Sequence, residues 1–195
     1  MGKIKTVYIA SPLFNPSERE ENEKINDVLE QAGYKTFLPQ RDGFLFADLV
    51  TKIQEQGYSR DEVEKIALNL IALLDIYQVC EGCDATILNL NGRVPDEGAV
   101  SEGALAFRSG RPLVIYKKDA RSLVNGKDNP LVVGLTGFDV VETIADIPIK
   151  LKQLGNSMEL PYSKMMTVAR RLFEKYDPKN KKIPELTVKW KQLFS

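Results

Sequence analysis

Two carboxylates, Asp96 and Glu102, stand six residues apart in "VPDEGAVSEGALAF" (94–107), among glycines and alanines, with no Lys or Arg before Arg108. A solvated helix face interleaves bases with its acids, whereas these acids are left almost unshielded by small neighbours. Carboxylates so placed suit close approach by a ligand, as nucleophile or as proton donor and acceptor. The chain contains no histidine. That excludes Ser-His-Asp and Cys-His catalysis, His-ligated metals and an imidazole acid–base. Proton transfers must therefore fall to Asp, Glu, Tyr, Lys or Cys. A phenol, Tyr8, and an aromatic ring, Phe14, lie on the first strand and its following loop. Taken singly each residue has a plain structural reading: Asp96 as a helix N-cap, Glu102 as a solvated helix residue, Tyr8 and Phe14 as core.

The two cysteines form "CEGC", Cys80 and Cys83. They follow a long helix instead of opening one, so a helix N-terminus does not lower a thiol there, and two reduced cysteines at a helix end are expected. No G-x-G-x-x-G or G-x-x-x-x-G-K-[ST] fingerprint is present, which removes the usual support for dinucleotide or nucleoside-triphosphate binding.

The elements that must position these residues alternate. "TVYIAS" reads as a strand, residues 17–31 as an amphipathic helix stopped at Gly33, and "KTFLP" as a second strand. Ser59 and Glu62 form a capping-box pattern ahead of "VEKIALNLIALLDIYQV", a long helix. "ATILNL" is a third strand, residues 98–109 a helix, "PLVIY" a fourth strand and "FDVVETI" a fifth. This alternation predicts an α/β fold: a flavodoxin-like (Rossmann-like), doubly wound, five-stranded parallel sheet with helices on both faces. Residues 1–150 form that domain. Residues 151–195 are expected to be a helical C-terminal extension, with one helix in "SKMMTVARRLFEKY", a solvated Lys179–Lys182 linker and a last helix bearing Trp190. In such a fold ligands bind beyond the carboxyl ends of the strands, so the loops "SPLFNP" and "NLNGRVPDEG" should meet, with Glu102 pointing at the same crevice. Asp84, immediately before the third strand, is less well placed by this topology.

Lys+Arg and Asp+Glu number 27 each, so no overall field favours nucleic acid or an anionic membrane. No apolar run approaches the roughly 18 residues of a membrane span. The opening "MGKIKTVYIAS" passes straight into a strand pattern. A cytoplasmic protein is expected.

The residues resemble a known family, the nucleoside 2-deoxyribosyltransferases. The likeness rests on "YIASPLF", "CDATILNL", "DEGAVSEGALA" and "KDNPLVVG", in that order between about residues 5 and 135. It implies that Glu102 is the nucleophile, Asp96 the sugar-binding acid, Asp84 the base-side acid, Tyr8 the phenol that hydrogen-bonds the nucleophile and Phe14 an aromatic lining the pocket. It implies that Asn129 completes the site of a neighbouring subunit, making at least a homodimer. Gln40 and Asp42 in "LPQRDGF" are candidates for base recognition. The implied substrates are a deoxynucleoside and a free nucleobase, with deoxyribose carried on Glu102 and no metal or cofactor. Two other functions share the pattern: hydrolysis of 2′-deoxynucleoside 5′-monophosphates, and non-catalytic nucleoside binding.

Overall fold

The computed structural model describes residues 4–92, 94–119, 128–155 and 161–173. Five parallel strands, β1 (Thr6–Ala10), β2 (Lys35–Phe37), β3 (Ala85–Asn89), β4 (Leu113–Tyr116) and β5 (Val140–Val141), form one sheet in the order β2-β1-β3-β4-β5. This is the doubly wound, flavodoxin-like order expected from the sequence. The strand order reverses between β1 and β3, and there the loops carrying Phe14 and Asp96 diverge.

The strands read as continuous apolar runs because both faces are covered. Val7 and Ile9 pack on one side with Ile25 and Leu29 of α1 (Pro16–Gln31) and with Ile147 and Leu151 of α7 (Asp146–Gly155). Tyr8, Ala10 and Leu88 face the other side, against Ala99 and Ala106 of α5 (Glu97–Arg108). The link from β2 to β3 holds α2 (Pro39–Asp42), α3 (Phe46–Gln54) and α4 (Arg60–Tyr77), the last two packed around Leu49, Ile53, Val63 and Ala67. The Ser59–Glu62 capping box is present, and each half satisfies one otherwise orphaned N–H at the start of α4.

A π-helical turn, Gln78–Gly82, ends α4 and contains Cys80. Both cysteines are free. Burial, helped by the nearby Asp84 charge, pushes the Cys83 thiol up to about 12, which leaves it a poor nucleophile. A short helix α6 (Pro130–Gly134) precedes β5, and α8 (Pro161–Phe173) follows α7. The division expected at residue 150 falls inside α7, whose Ile147 and Leu151 are both fully buried in the main core. Along α8, Tyr162 meets Phe107 edge-on and lies 4.7 Å from the Arg108 guanidinium, so this helix leans on the outer side of α5. The Lys179–Lys182 segment and the Trp190 helix lie outside the described residues. Among the described residues no helix is long and apolar enough to cross a membrane.

Candidate active site

Tyr8 is fully buried in the middle of β1, and its ring stacks on Phe37 with centroids 5.5 Å apart. Its hydroxyl donates to Glu102 Oε1 at 2.7 Å, across 94 residues of sequence. Helix α5 can bring Glu102 this close because its sheet-facing side is made of Ala99, Gly103 and Ala106. A Cβ on Gly103 would stand 2.8 Å from Leu88 Cδ2, a side chain that is itself fully buried. For Gly103, then, close helix–sheet packing explains a residue that costs about 1 kcal/mol in a helix.

The surroundings of Glu102 are hostile to charge. Burial, then the negative charges of Asp75 and Asp96, push its carboxyl up to about 8, while the Tyr8 hydrogen bond pulls the other way. Tyr8 is held well above the ordinary phenol range by burial, and by Glu102 and Asp75, so it stays a donor. An acid with a titration point near neutrality, oriented through one oxygen by a permanent donor, is poised for nucleophilic or acid–base work.

Asp75 is the residue that sequence reasoning missed. It sits in the last turn of α4, flanks the same Tyr8 hydroxyl, and is shifted upward, chiefly by burial, while the Tyr8 interaction lowers it. A signal was available: Asp75 is the only charged residue between Ile66 and Val79, a run that is otherwise almost wholly apolar.

Asp84 is not brought to this site. Its carboxylate accepts from Lys5 N–H at 2.8 Å and Thr6 N–H at 2.9 Å, and its own N–H donates to the Thr6 carbonyl. It thus ties the amino-terminal starts of β1 and β3, at the end of the sheet away from the crevice. Replacing Asp84 by Ala should cost about 2 kcal/mol of stability, by freeing two backbone donors, while turnover per folded molecule stays unchanged. Denaturation read beside specific activity checks this, and a loss of turnover with stability intact would contradict it.

Asp96 is the N-cap of α5, one oxygen accepting from Ala99 N–H at 2.7 Å, yet its charge is still felt at Glu102. The structural reading and a role at the site are therefore compatible. Phe14 lies on the loop after β1, 78% exposed. Asn129 is exposed and caps α6 by accepting from Leu131 N–H at 2.9 Å. Gln40 is turned onto α1: it donates to Glu23 and the Arg19 carbonyl and accepts from Asn22. Asp42 accepts from Leu38 N–H and from Arg41, which together hold its carboxyl below the usual range although burial opposes them. Both base-recognition candidates are thus engaged in holding the turn after β2. No group of three or more His, Cys, Asp or Glu able to hold a metal occurs among the described residues.

The family model described as nucleoside 2-deoxyribosyltransferase matches residues 7–165. This chain belongs to that family. The match spans every site residue named above, and α8 runs beyond its end. A conserved protein from Enterococcus faecalis V583 superposes with a TM-score of 0.57 at 22% identity, over 77% of this chain and 98% of its own, a likeness of fold. A 2-deoxyribosyltransferase from Bacillus psychrosaccharolyticus aligns at 18% identity and TM-score 0.43, over 66% of this chain and 80% of its own. One from Leishmania mexicana aligns at 17% and 0.45, over 80% of this chain and 99% of its own. The comparison with curated proteins returns no match.

Proposed function

We propose that this family member moves 2-deoxyribose from one nucleobase to another through an ester on Glu102. The observation that carries the reading is the 2.7 Å hydrogen bond from buried Tyr8 to Glu102, beside a second half-buried acid, Asp75. Ionised Glu102 attacks C1′ of the deoxynucleoside while the N-glycosidic bond breaks and its electron pair goes to the base nitrogen. Asp75, in its protonated form, gives its proton to the departing base. The acceptor base then attacks C1′ through nitrogen, the ester bond breaks to restore the Glu102 carboxylate, and Asp75 recovers a proton from the acceptor. Two inversions at C1′ give net retention. Tyr8 holds one carboxylate oxygen and leaves the other to attack.

Charge chooses the substrate. With Asp75 protonated, Asp96 and ionised Glu102 still put two negative charges beside one crevice. At about 4 Å and an effective dielectric near 20, a pair of like unit charges costs roughly 4 kcal/mol, enough to disfavour a 5′-phosphate. Arg19 donates to the Leu13 carbonyl, and Arg93 lies outside the described residues. A free 5′-hydroxyl can instead donate to Asp96. The substrates are therefore unphosphorylated 2′-deoxynucleosides, and Asp96→Ser should slow their turnover while relatively improving that of monophosphates. Incubation with deoxyinosine or thymidine plus a second free base, followed by chromatography, tests the function. Exchanged nucleoside supports transfer, whereas base release that ignores the added base, with monophosphates preferred, would replace it with hydrolysis.

Assembly belongs to the same reading. Leu70, Leu73 and Tyr77 lie on one face of α4 at helical spacing, and all three are exposed. An apolar stripe of that kind suits contact with a second copy. Exposed Asn129 is then available to complete a neighbour's site. Mixing Glu102→Ala and Asn129→Ala proteins under demonstrated subunit exchange should restore part of the activity, and no rescue would rule out a shared site.

A further inference from the structure

On the face of the sheet opposite Glu102, the carboxylate of Glu21 on α1 accepts from three neutral donors. Asn91 Nδ2 and the Tyr116 hydroxyl reach Oε1 at 3.0 and 3.4 Å, and Asn89 Nδ2 reaches Oε2 at 3.1 Å. Asn89 and Tyr116 are register partners at the last positions of β3 and β4, and both pack on the α1 side. Asn89 is 1% exposed and Asn91 8%. The bonds continue outward: Asn91 N–H donates to Asn89 Oδ1, while Asn91 Oδ1 accepts from the N–H groups of Lys118 and Asp119 at 2.7 and 3.2 Å. Gly92 N–H donates to Asp119 Oδ2, and Gly92 takes φ +122, where an L side chain is strained. Four residues later the chain reaches Asp96.

We propose that Glu21 is a positioning residue: it gathers Asn89, Asn91 and Tyr116, laces the exits of β3 and β4 to α1, and so sets the course of the loop that delivers Asp96 and the first turn of α5. A carboxylate suits this point because it only accepts, and its two oxygens can take several donors together. A glutamine would turn its NH2 group toward one of the two carboxamide donors, which bond different oxygens of Glu21, and lose at least one of the three bonds. Buried polar networks of this kind fix a single arrangement only while all members are satisfied. What Asp96 does rests on the deoxyribosyl-transfer reading; how its loop is held does not.

Two measurements on the full-length protein separate these layers. Amide hydrogen exchange should become about tenfold faster in Glu21→Ala at Gly92, Lys118, Asp119 and Ala99, with Ile87 and Ile115 in the strands unchanged. Unchanged exchange at Ala99 would overturn the proposal, as would equal acceleration in the strands, which marks a merely stabilising residue. If Glu21→Ala does not fold, Glu21→Gln carries the same comparison. The second measurement is a double-mutant cycle on deoxynucleoside exchange. Glu21→Gln should raise KM about tenfold with a smaller change in kcat, and should have less than a twofold effect when Asp96 is already Asn. Equal losses in both backgrounds would show that Glu21 does not act through Asp96. Should the wild-type protein exchange no base at all, the functional reading falls and the exchange pattern of the amides still decides the role of Glu21.

Discussion

Glu102→Gln is expected to reduce glycosidic cleavage by at least on the order of 10⁴-fold, the scale seen when an enzyme nucleophile is removed. It is also expected to make the protein more stable in mild alkali. The sign follows from linkage. The folded-state carboxyl titrates at about 8, above its ordinary 4.5. Between those two values the folded state holds a proton that the unfolded chain has released, so stability from the neutral acid is complete below about 4.5 and is lost as pH rises through about 8. Glutamine keeps an oxygen for the Tyr8 hydroxyl but never ionises. The variant should therefore gain on the wild type progressively from pH 5 to pH 8.5 in thermal unfolding. A constant difference across that range would mean that burial does not burden the Glu102 charge. Cleavage needs Glu102 ionised while Asp75 keeps its proton, so kcat/KM of the wild type should pass through a maximum and fall as pH rises through about 8, where both carboxyls are ionised.

Asp75→Asn is expected to cost about 10²–10⁴-fold with deoxyinosine, the range for loss of a general acid. It should cost little with 7-methyl-2′-deoxyguanosine, whose base already carries a positive charge and departs without a proton. Glu102→Gln should lose both substrates alike. Asparagine has no proton to lose and no charge to raise Glu102, so the residual activity of the variant should no longer fall as pH rises through about 8. A loss that is equal for the two nucleosides, with the alkaline fall unchanged, would leave Asp75 as structural support for α4.

Asp75 and Asp84 show where a one-dimensional reading stops: the sequence pointed to Asp84, whose carboxylate bonds the Lys5 and Thr6 N–H groups, while Asp75 is the acid beside Tyr8. Both acids precede β3, and a short motif cannot tell which one the chain turns into the crevice. The π-helical turn between them sets that geometry, and Asp84 ends on the backbone of Lys5 and Thr6. The rule that ligands sit beyond the carboxyl ends of parallel strands already argued against Asp84. Its partner clue, a lone charge in the apolar second half of α4, was in plain sight at Asp75. Glu102 was legible from its small neighbours and its place after the third strand, whereas its pairing with Tyr8 came from the family resemblance, and the structure brings the two within 2.7 Å. Gln40 and Asp42 were not legible, since their fate depends on which tertiary neighbours, α1 and Arg41, claim them first. Helix α3 was missed for a local reason. Its N-cap, Leu45, supplies no side-chain bond, so the usual start signal is absent. The two-residue β5 is shorter than its apolar sequence suggested because pairing with β4 covers only Val140 and Val141.

The ester on Glu102 can be tested by trapping it. A deoxynucleoside carrying fluorine at C2′ destabilises the oxocarbenium-like transition state and slows both formation and breakdown of the intermediate. With the wild-type protein, intact mass spectrometry should show the mass of one fluorinated sugar per chain. Peptide mapping should place it on the peptide containing Glu102, and adding a free base should discharge it as a new nucleoside. A sugar found on another residue, or base release with no adduct at any time, would contradict covalent transfer through Glu102.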